Sequence, residues 1–242
     1  MTNWSNVVFS IVSHGQSSLV NCLLDDFRRL NFNEVEIYIT LNIPEAESNY
    51  NFSDLNITIV KNIYPKGFGE NHNSVLLNSS KKYFFVINPD IRLNDLDVNC
   101  LLSSFNDPSV GAVAPLILNS TGSIEISARR FPTIFGIFKK IVFRLNSPSY
   151  EMISGPLVVD WVAGMFVIYR EDAFKLINGF DQHRFFLYYE DVDVCKRLKR
   201  AGVATILDSR VSVIHDAQRA SHKNLKYFLW HLKSAFRYFS GL

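Results

Sequence analysis

Hydrophobic residues enter this chain as short runs separated by amphipathic stretches, and the two alternate from the start. Val7 to Ser13 is an apolar run suited to a buried strand. Ser17 or Ser18 can cap a following helix whose Val20, Leu23, Leu24, Phe27 and Leu30 share one face. Val35, Ile37, Ile39 and Leu41 alternate with Glu36, Tyr38 and Thr40, so a second strand ends near Asn42, and Ile57 to Val60 makes a third. Strand, helix, strand in this order predicts a parallel sheet with right-handed crossovers. Ligands of such sheets gather beyond the carboxyl ends of the strands, which is where His14, Asn42 and Asn62 fall.

Farther along, Tyr83 to Asn88 is a compact strand closed by Pro89 and Asp90, because proline cannot continue a central ladder. A helix from about Asp95 to Phe105 and a strand from Ala112 to Leu118 follow, then the Asn119 to Gly122 turn and a strand ending at Ala128. Thr133 to Phe143 has helical spacing, whereas Leu145 to Pro156 carries loop signals and reads as a lid or a surface linker. Strand character resumes from Val158 to Tyr169 around Asp160, Trp161 and Gly164, and a short helix from Glu171 to Asn178 stops at Gly179. Two strands, Val203 to Leu207 and Val211 to Ile214, end at His215. The final helix, Lys223 to Phe239, puts Phe228, Leu232, Ala235, Phe236 and Phe239 along one side, a pattern that serves equally for packing or for lying at a membrane interface.

The stretch that most constrains the chain is DQHRFFLYYEDVDVCKR, Asp181 to Arg197. Phe185, Phe186, Tyr188 and Tyr189 lead directly into Glu190, Asp191 and Asp193, which fall on the first turn of a helix with Val192, Val194, Cys195 and Leu198 as its apolar stripe. Acids favour helix N-termini in any protein. An aromatic wall just before them would also desolvate a carboxylate and raise its basicity. Asp90, at the ligand edge of the sheet, suits a hard divalent cation, and His215 with Asp90 and Asp191 could surround one metal. KGFGENHN, Lys66 to Asn73, is a glycine-containing turn opening a helix; its glycines fit an approaching ligand or an ordinary βα turn.

Composition changes this picture in two ways. The chain has 242 residues and 48% hydrophobic content, enough for one large α/β core, and a single domain is expected. Cys22, Cys100 and Cys195 are widely spaced in helical patterns and read as core thiols. The net charge of +2 conceals a partition. Ile126 to Tyr150 carries Arg129, Arg130, Lys139, Lys140 and Arg144 without an acid, and Ala217 to Leu242 carries Arg219, Lys223, Lys226, Lys233 and Arg237 without one. The remainder is therefore acidic, which points to a localised anionic partner such as a diphosphate or a lipid surface and away from nucleic acid. No apolar run spans a bilayer, so the expected location is the cytoplasm, peripheral at the inner face of the cytoplasmic membrane. Nothing in the sequence sets an oligomeric state.

GFGENHN, NPDI, RRFP, VVDWVAG and NGFDQHRFFLYYEDVDVCKRL, in this order over nearly the whole chain, resemble the family 2 GT-A glycosyltransferases, specifically bacterial O-antigen rhamnosyltransferases. The resemblance implies an α/β GT-A fold: a Rossmann-like, mostly parallel sheet flanked by helices, in one domain with a C-terminal amphipathic helix. Residues 1–118 would be mainly the nucleotide-sugar half, 119–222 the acceptor and catalytic half, and 223–242 the helix. It implies inverting transfer from a nucleotide-sugar, dTDP-rhamnose first, with Mg²⁺ or Mn²⁺, to a polyprenyl-diphosphate-linked or soluble saccharide. Asp90 would hold the metal and diphosphate, with Asn88 where the family has its first acid. Gly67, Phe68, Gly69, Asn71 and Asn73 would border the donor, and Asn42 and His14 would lie beside it. Arg129 or Arg130 would face the diphosphate, and His215 would join the metal. Asp191 resembles the catalytic base, with Glu190 in support, and Asp160, Trp161, Gly164, Phe186, Tyr188 and Tyr189 would form the acceptor side. Transfer of galactofuranose or glucose from a UDP-sugar, or a non-catalytic scaffold that binds nucleotide-sugars, are the alternatives.

Overall fold

The computed structural model describes residues 4–136, 150–151, 154–216 and 225–241. Its centre is a nine-stranded sheet built from the apolar runs of the sequence. Strands β1 (Val7–Ser13), β2 (Glu36–Leu41), β3 (Ile57–Lys61) and β4 (Tyr83–Ile87) run parallel in the order β3-β2-β1-β4. Helices α1 (Ser17–Arg29) and α2 (Phe68–Asn78) make the crossovers. Every residue of β1 is buried because helices cover both faces of the sheet, the usual reason a parallel strand reads as continuously apolar.

The other half is mixed. Short β5 (Ile91–Arg92), helix α3 (Val98–Ser103) and β6 (Val110–Asn119) follow in the chain. Then come β7 (Ala128–Arg129), β8 (Pro156–Val159), β9 (Trp161–Val162) and β10 (Phe166–Arg170). Beyond them lie α4 (Glu171–Leu176), α5 (Glu190–Arg200), β11 (Ala204–His215) and α6 (Leu225–Ser240). β10 is antiparallel between β4 and β6, β11 is parallel to β6, and β5 and β8 pair antiparallel with β11. β7 and β9 form a separate ribbon. The core lies in two layers. α1 and α3 pack with Phe9, Phe27, Phe85 and Phe166 on one face of the sheet; α2, α4 and α5 pack with Phe84, Tyr169, Phe174 and Phe180 on the other.

Several expectations are corrected. The first helix begins at Ser17 itself, preceded by Gln16, without a side-chain cap; the backbone N–H of Gln16 instead donates to Ser13 Oγ. α3 is shorter than expected because Asp97 accepts from the Cys100 N–H and fixes the start, and a 3₁₀ turn, Ser104–Asn106, replaces the last turn. The strand toward Ala128 shrinks to β7 plus an isolated bridge between Leu118 and Ile124. The two strands before His215 are one, β11, whose pairing with β6 slips between Asp208 and Ser212. There Arg210 folds back on the buried Asp208 carboxylate through its backbone N–H and guanidinium, so the chain needs extra residues against β6. Most of the Thr133 to Phe143 helical pattern, with Lys139 and Lys140, lies outside the described residues, as do Arg144 and much of the Leu145 to Pro156 loop. The three cysteines are free, and Cys195 is buried.

Candidate active site

Two residues just before β10 tie the region together. The Met165 carbonyl accepts the N–H of Asn88 at 2.8 Å, holding the Asn88-Pro89-Asp90 turn, and the Gly164 N–H donates to Asp191 Oδ2 at 3.3 Å, holding the start of α5. A Cβ at position 164 would lie 3.3 Å from the Phe68 ring, so the lack of a side chain lets the donor-side loop close over this point. The Phe68 N–H in turn donates to the Phe186 carbonyl at 2.9 Å. The sequence motifs around Asn88, Gly164, Phe68 and Phe186 are thus linked by backbone bonds at one edge of the sheet.

Asp90 and His215 meet as expected: His215 Nε2 lies 3.2 Å from Asp90 Oδ2. The third partner is Glu125, whose Oε2 is 2.8 Å from His215 Nδ1, and no bond joins Asp191 to this pair among the described residues. Asp191 belongs to the α5 turn, while Glu125 arrives on the chain after β6, where its own N–H donates to the Ile117 carbonyl. Burial would lower the His215 pKa, but the Asp90 and Glu125 carboxylates outweigh it and hold the imidazole up at about 9. Asp90 Oδ1 is buried without a hydrogen-bond partner. Desolvating a carboxylate oxygen in this way is costly unless something occupies it. Among the described residues, no group of three or more His, Cys, Asp or Glu is arranged to hold a metal ion.

Glu190 and Asp191 open α5 and are tightly coupled. Glu190 is buried, its Oε2 has no partner, and burial together with the neighbouring Asp191 charge pushes its pKa well up. Burial also raises Asp191, but the N–H groups of Val192 and Gly164 and the charge of Arg129 oppose it. Of the two, Glu190 is pushed up further and so holds a proton more readily than Asp191. This settles the competition between burial and helix-terminus stabilisation: burial wins, and Asp191 is a stronger base than an exposed aspartate. Asp193, also buried, is clamped by Arg184 at 3.2 Å and Arg197 at 2.6 Å.

The aromatic wall divides. Phe185 is fully buried in a cluster with Val192 and Tyr238, whereas Phe186 is partly exposed with its ring 4.9 Å from Trp230 of α6. Tyr188 and Tyr189 have φ of 70° and 68°, left-handed values that cost a non-glycine residue roughly 1 kcal/mol or more each. α6 holds them there. Both rings lie against His231, Ser234 Oγ donates to the Leu187 carbonyl at 2.8 Å, and Arg184 and Arg237 each donate to the other's backbone carbonyl. Trp230 and His231 are thus neighbours of the site that sequence reading missed; the aromatic stripe it drew on this helix was the other face.

Much of the expected donor loop is spent on structure. Asn42 is completely buried; its Nδ2 donates to the Lys66 carbonyl, and its Oδ1 accepts from Lys66 N–H and Asn62 Nδ2. Asn71 is equally buried, accepting from Asn62 and donating to the Gly67 carbonyl. Asn73 pairs with the backbone of Phe180 and with Gln182. A Cβ on Gly67 would stand 2.8 Å from the Phe186 carbonyl, and one on Gly69 would stand 2.5 Å from Phe180 Cβ. These glycines let Phe180 and Phe186 approach the loop, and the side chains of Asn42, Asn71 and Asn73 are taken up by protein partners. His14 is exposed beside Asn42, with Nε2 at 3.0 Å from its amide. Asp160 is likewise committed: one oxygen meets Lys199 at 2.8 Å and the other accepts the Phe131 N–H. Trp161 donates to the Arg130 carbonyl, and its ring underlies the exposed Arg129 guanidinium.

A mixed sheet of this order, with an acidic turn after the fourth strand and a carboxylate pair opening the helix beyond it, defines a GT-A glycosyltransferase. Solved structures agree on the fold. The mannosyltransferase PcManGT from Pyrobaculum calidifontis, in complex with GDP-Man and Mn²⁺, superposes with TM-score 0.64 at 16% identity, covering 96% of this chain and 64% of that one. GalNAc-T7 with UDP, GalNAc and Mn²⁺ gives 0.65 at 12% identity over 88% of this chain and 44% of that one. No family model matches the chain. Among curated proteins, Rhamnosyltransferase WbbL of Escherichia coli (strain K12) is 32% identical over 187 residues, 71% of this chain and 69% of that protein. An N-acetylglucosaminyl-diphospho-decaprenol L-rhamnosyltransferase of Mycobacterium tuberculosis is 30% identical over 55% of this chain and 46% of its own length. The Low-salt glycan biosynthesis hexosyltransferase Agl10 of Haloferax volcanii is 28% identical over 57% of this chain and 43% of its own. The chain belongs to the family 2 rhamnosyltransferases of GT-A fold, and it is a glycosyltransferase.

Proposed function

We propose that this glycosyltransferase moves L-rhamnose from dTDP-rhamnose to a polyprenyl-diphosphate-linked sugar, with inversion, in the assembly of a cell-surface polysaccharide such as O-antigen. The observation that carries the reading is the 32% identity to WbbL over 187 residues; the mycobacterial relative, named for a decaprenyl-diphosphate-linked acceptor, supports the acceptor class. A divalent cation fits the site because Asp90 Oδ1 is a buried carboxylate oxygen without a partner. Asp90 and His215 would hold it, with Glu125 fixing the imidazole as an outer partner, an arrangement common around metal-bound histidine. When bound, the cation would offset charge building on the departing diphosphate.

The remaining steps belong to the protein. Asp191 receives the proton of the acceptor hydroxyl as that oxygen bonds to the anomeric carbon. The bond from this carbon to the diphosphate oxygen breaks, and the nucleoside diphosphate leaves with the electron pair. Arg129, exposed over Trp161, would pair with that anion. Glu190, which burial and the Asp191 charge push toward its protonated form, would spare Asp191 a second neighbouring charge. The exposed edges of Phe186, Tyr188 and Tyr189 offer apolar faces to a sugar and exclude water that would hydrolyse the donor.

The test is transfer to a short-chain N-acetylglucosaminyl-diphospho-prenol with dTDP-rhamnose, UDP-glucose and UDP-galactofuranose supplied in turn, with and without Mn²⁺. Product from dTDP-rhamnose alone is expected. Product from a UDP-sugar instead would replace rhamnose, and binding of donor without product from any of them would favour the scaffold reading.

A further inference from the structure

Helix α6 has two sides with large side chains, and among the described residues only one is covered. Toward the domain it buries Ser234 and Tyr238 and sets Trp230 and His231 against the aromatic stretch. Away from the domain, Phe228, Leu229, Leu232 and Phe236 are 58%, 55%, 50% and 65% exposed. At 3.6 residues per turn these four positions fall in one stripe about 100° wide along the helix. A contiguous row of large apolar side chains in water marks a surface made for a partner.

The surrounding charge says which partner. Ala217 to Leu242 holds five Lys and Arg residues and no acid, and Lys233 is exposed beside the stripe. The second acid-free segment lies against the end of this helix, because Phe131 and Phe239 pack on one cluster formed by Phe185, Val192 and Tyr238. It adds the exposed Ile134. A second copy of the chain, paired stripe to stripe about a two-fold axis, would bring cations against cations. An anionic lipid surface satisfies the apolar row and the charge together. Among the described residues no helix is long and apolar enough to cross a membrane, so the geometry is that of a helix lying in the surface.

We propose that α6 lies in the interface of an anionic bilayer leaflet, with Phe228, Leu229, Leu232 and Phe236 inserted among the acyl chains and Lys233 at the headgroups. The inner face of the same helix holds Leu187 to Tyr189, which run directly into Glu190 and Asp191. Docking therefore sets the catalytic turn against the membrane surface. The inference deepens the lipid-linked acceptor reading by naming the surface that brings enzyme and acceptor together, yet it is testable without any transfer.

The experiment is co-sedimentation with vesicles of phosphatidylglycerol and phosphatidylethanolamine, beside vesicles of phosphatidylcholine alone. Wild type should sediment with the anionic vesicles and retain part of its binding in high salt, since the apolar contribution is not screened. The combined Phe228→Gln, Leu229→Gln, Leu232→Gln and Phe236→Gln variant should bind at least tenfold more weakly at an unchanged thermal unfolding midpoint. Phe236→Gln alone should lose part of the binding, and Lys233→Glu alone should lose mainly the salt-sensitive part. These single changes keep the test decisive if the fourfold variant folds poorly. Undiminished vesicle binding by the variants, or wild type that ignores anionic vesicles, overturns the proposal. So does wild type that is dimeric by light scattering and made monomeric by the Gln substitutions, which would give the stripe to a second copy. Absence of rhamnosyl transfer, by contrast, would overturn the proposed reaction and leave this surface standing.

Discussion

The donor-loop asparagines and the carboxylates of the candidate site are equally polar, and the fold treats them in opposite ways. On the donor-loop side, Asn42, Asn62 and Asn71 are buried and bonded to one another and to the backbone at residues 66 and 67. On the other side, Asp90 Oδ1 and Glu190 Oε2 are buried and have no hydrogen-bond partner among the described residues. A satisfied buried network rigidifies a loop, whereas an unsatisfied carboxylate is an energetic debt that a ligand or a proton can settle. The contrast suggests that the glycine and asparagine motif shapes the donor pocket mainly through its backbone, and that the carboxylates do the binding and the chemistry.

The sharpest way to break this contrast is at the base. Asp191→Asn keeps the shape and cannot take a proton, so turnover should fall about 10³-fold, within the usual range for loss of a general base, while donor binding by calorimetry stays near wild type. Near-normal turnover would move the base elsewhere. Because burial raises the Asp191 pKa, wild-type kcat/KM should fall on acidification through a midpoint above that of an ordinary carboxylate. The sign follows from the need for the anion: activity is present above the midpoint and lost below it.

Next in size is a paired comparison. Asp90→Ala should cost roughly a hundredfold or more in Mn²⁺-dependent nucleotide-sugar affinity without lowering the thermal unfolding midpoint, since a direct ligand oxygen and its charge are removed, a larger loss than the tenfold to hundredfold usual for an outer partner. Gly69→Ala should do the reverse. Its new Cβ would meet Phe180 at 2.5 Å, an overpacking worth about 1–3 kcal/mol of stability, with Mn²⁺ affinity unaltered in the folded fraction. A drop in stability for Asp90→Ala or in metal affinity for Gly69→Ala would erase the distinction.

A smaller effect is expected at Glu125. Glu125→Gln should weaken Mn²⁺ binding about tenfold by calorimetry, with no donor present, because the imidazole of His215 loses its charged outer partner. The smallest is at Glu190. A carboxyl pushed toward its protonated form is well imitated by glutamine, so Glu190→Gln should retain turnover to within about tenfold. A loss as large as that of Asp191→Asn would show that Glu190 must ionise.

What could be read from the chain alone was whatever depends on neighbours in sequence. The apolar runs of Val7 to Ser13 and Tyr83 to Asn88 announced buried strands, and the spacing of Val192, Val194, Cys195 and Leu198 announced α5, because strand and helix periods are local properties. The order of the motifs announced the family. Asp90 and His215 could be paired in advance because both end strands at the same edge of a sheet. What depended on distant packing was not legible. Nothing near Glu125 distinguishes it from any loop acid; it became a partner of His215 only when the chain beyond β6 folded back beside β11. The glycines of GFG looked like a ligand turn, and only the approach of Phe180 and Phe186, more than a hundred residues away, showed what fills the space beside them. The more apolar side of α6 in sequence, with Phe228, Leu232 and Phe236, is the uncovered one, because the aromatic stretch of residues 184–189 lies on the side of Trp230, His231, Ser234 and Tyr238. Local periodicity sets an element's faces, but which face is buried, and which carboxylate is left without a partner, depends on contacts between segments far apart in the chain.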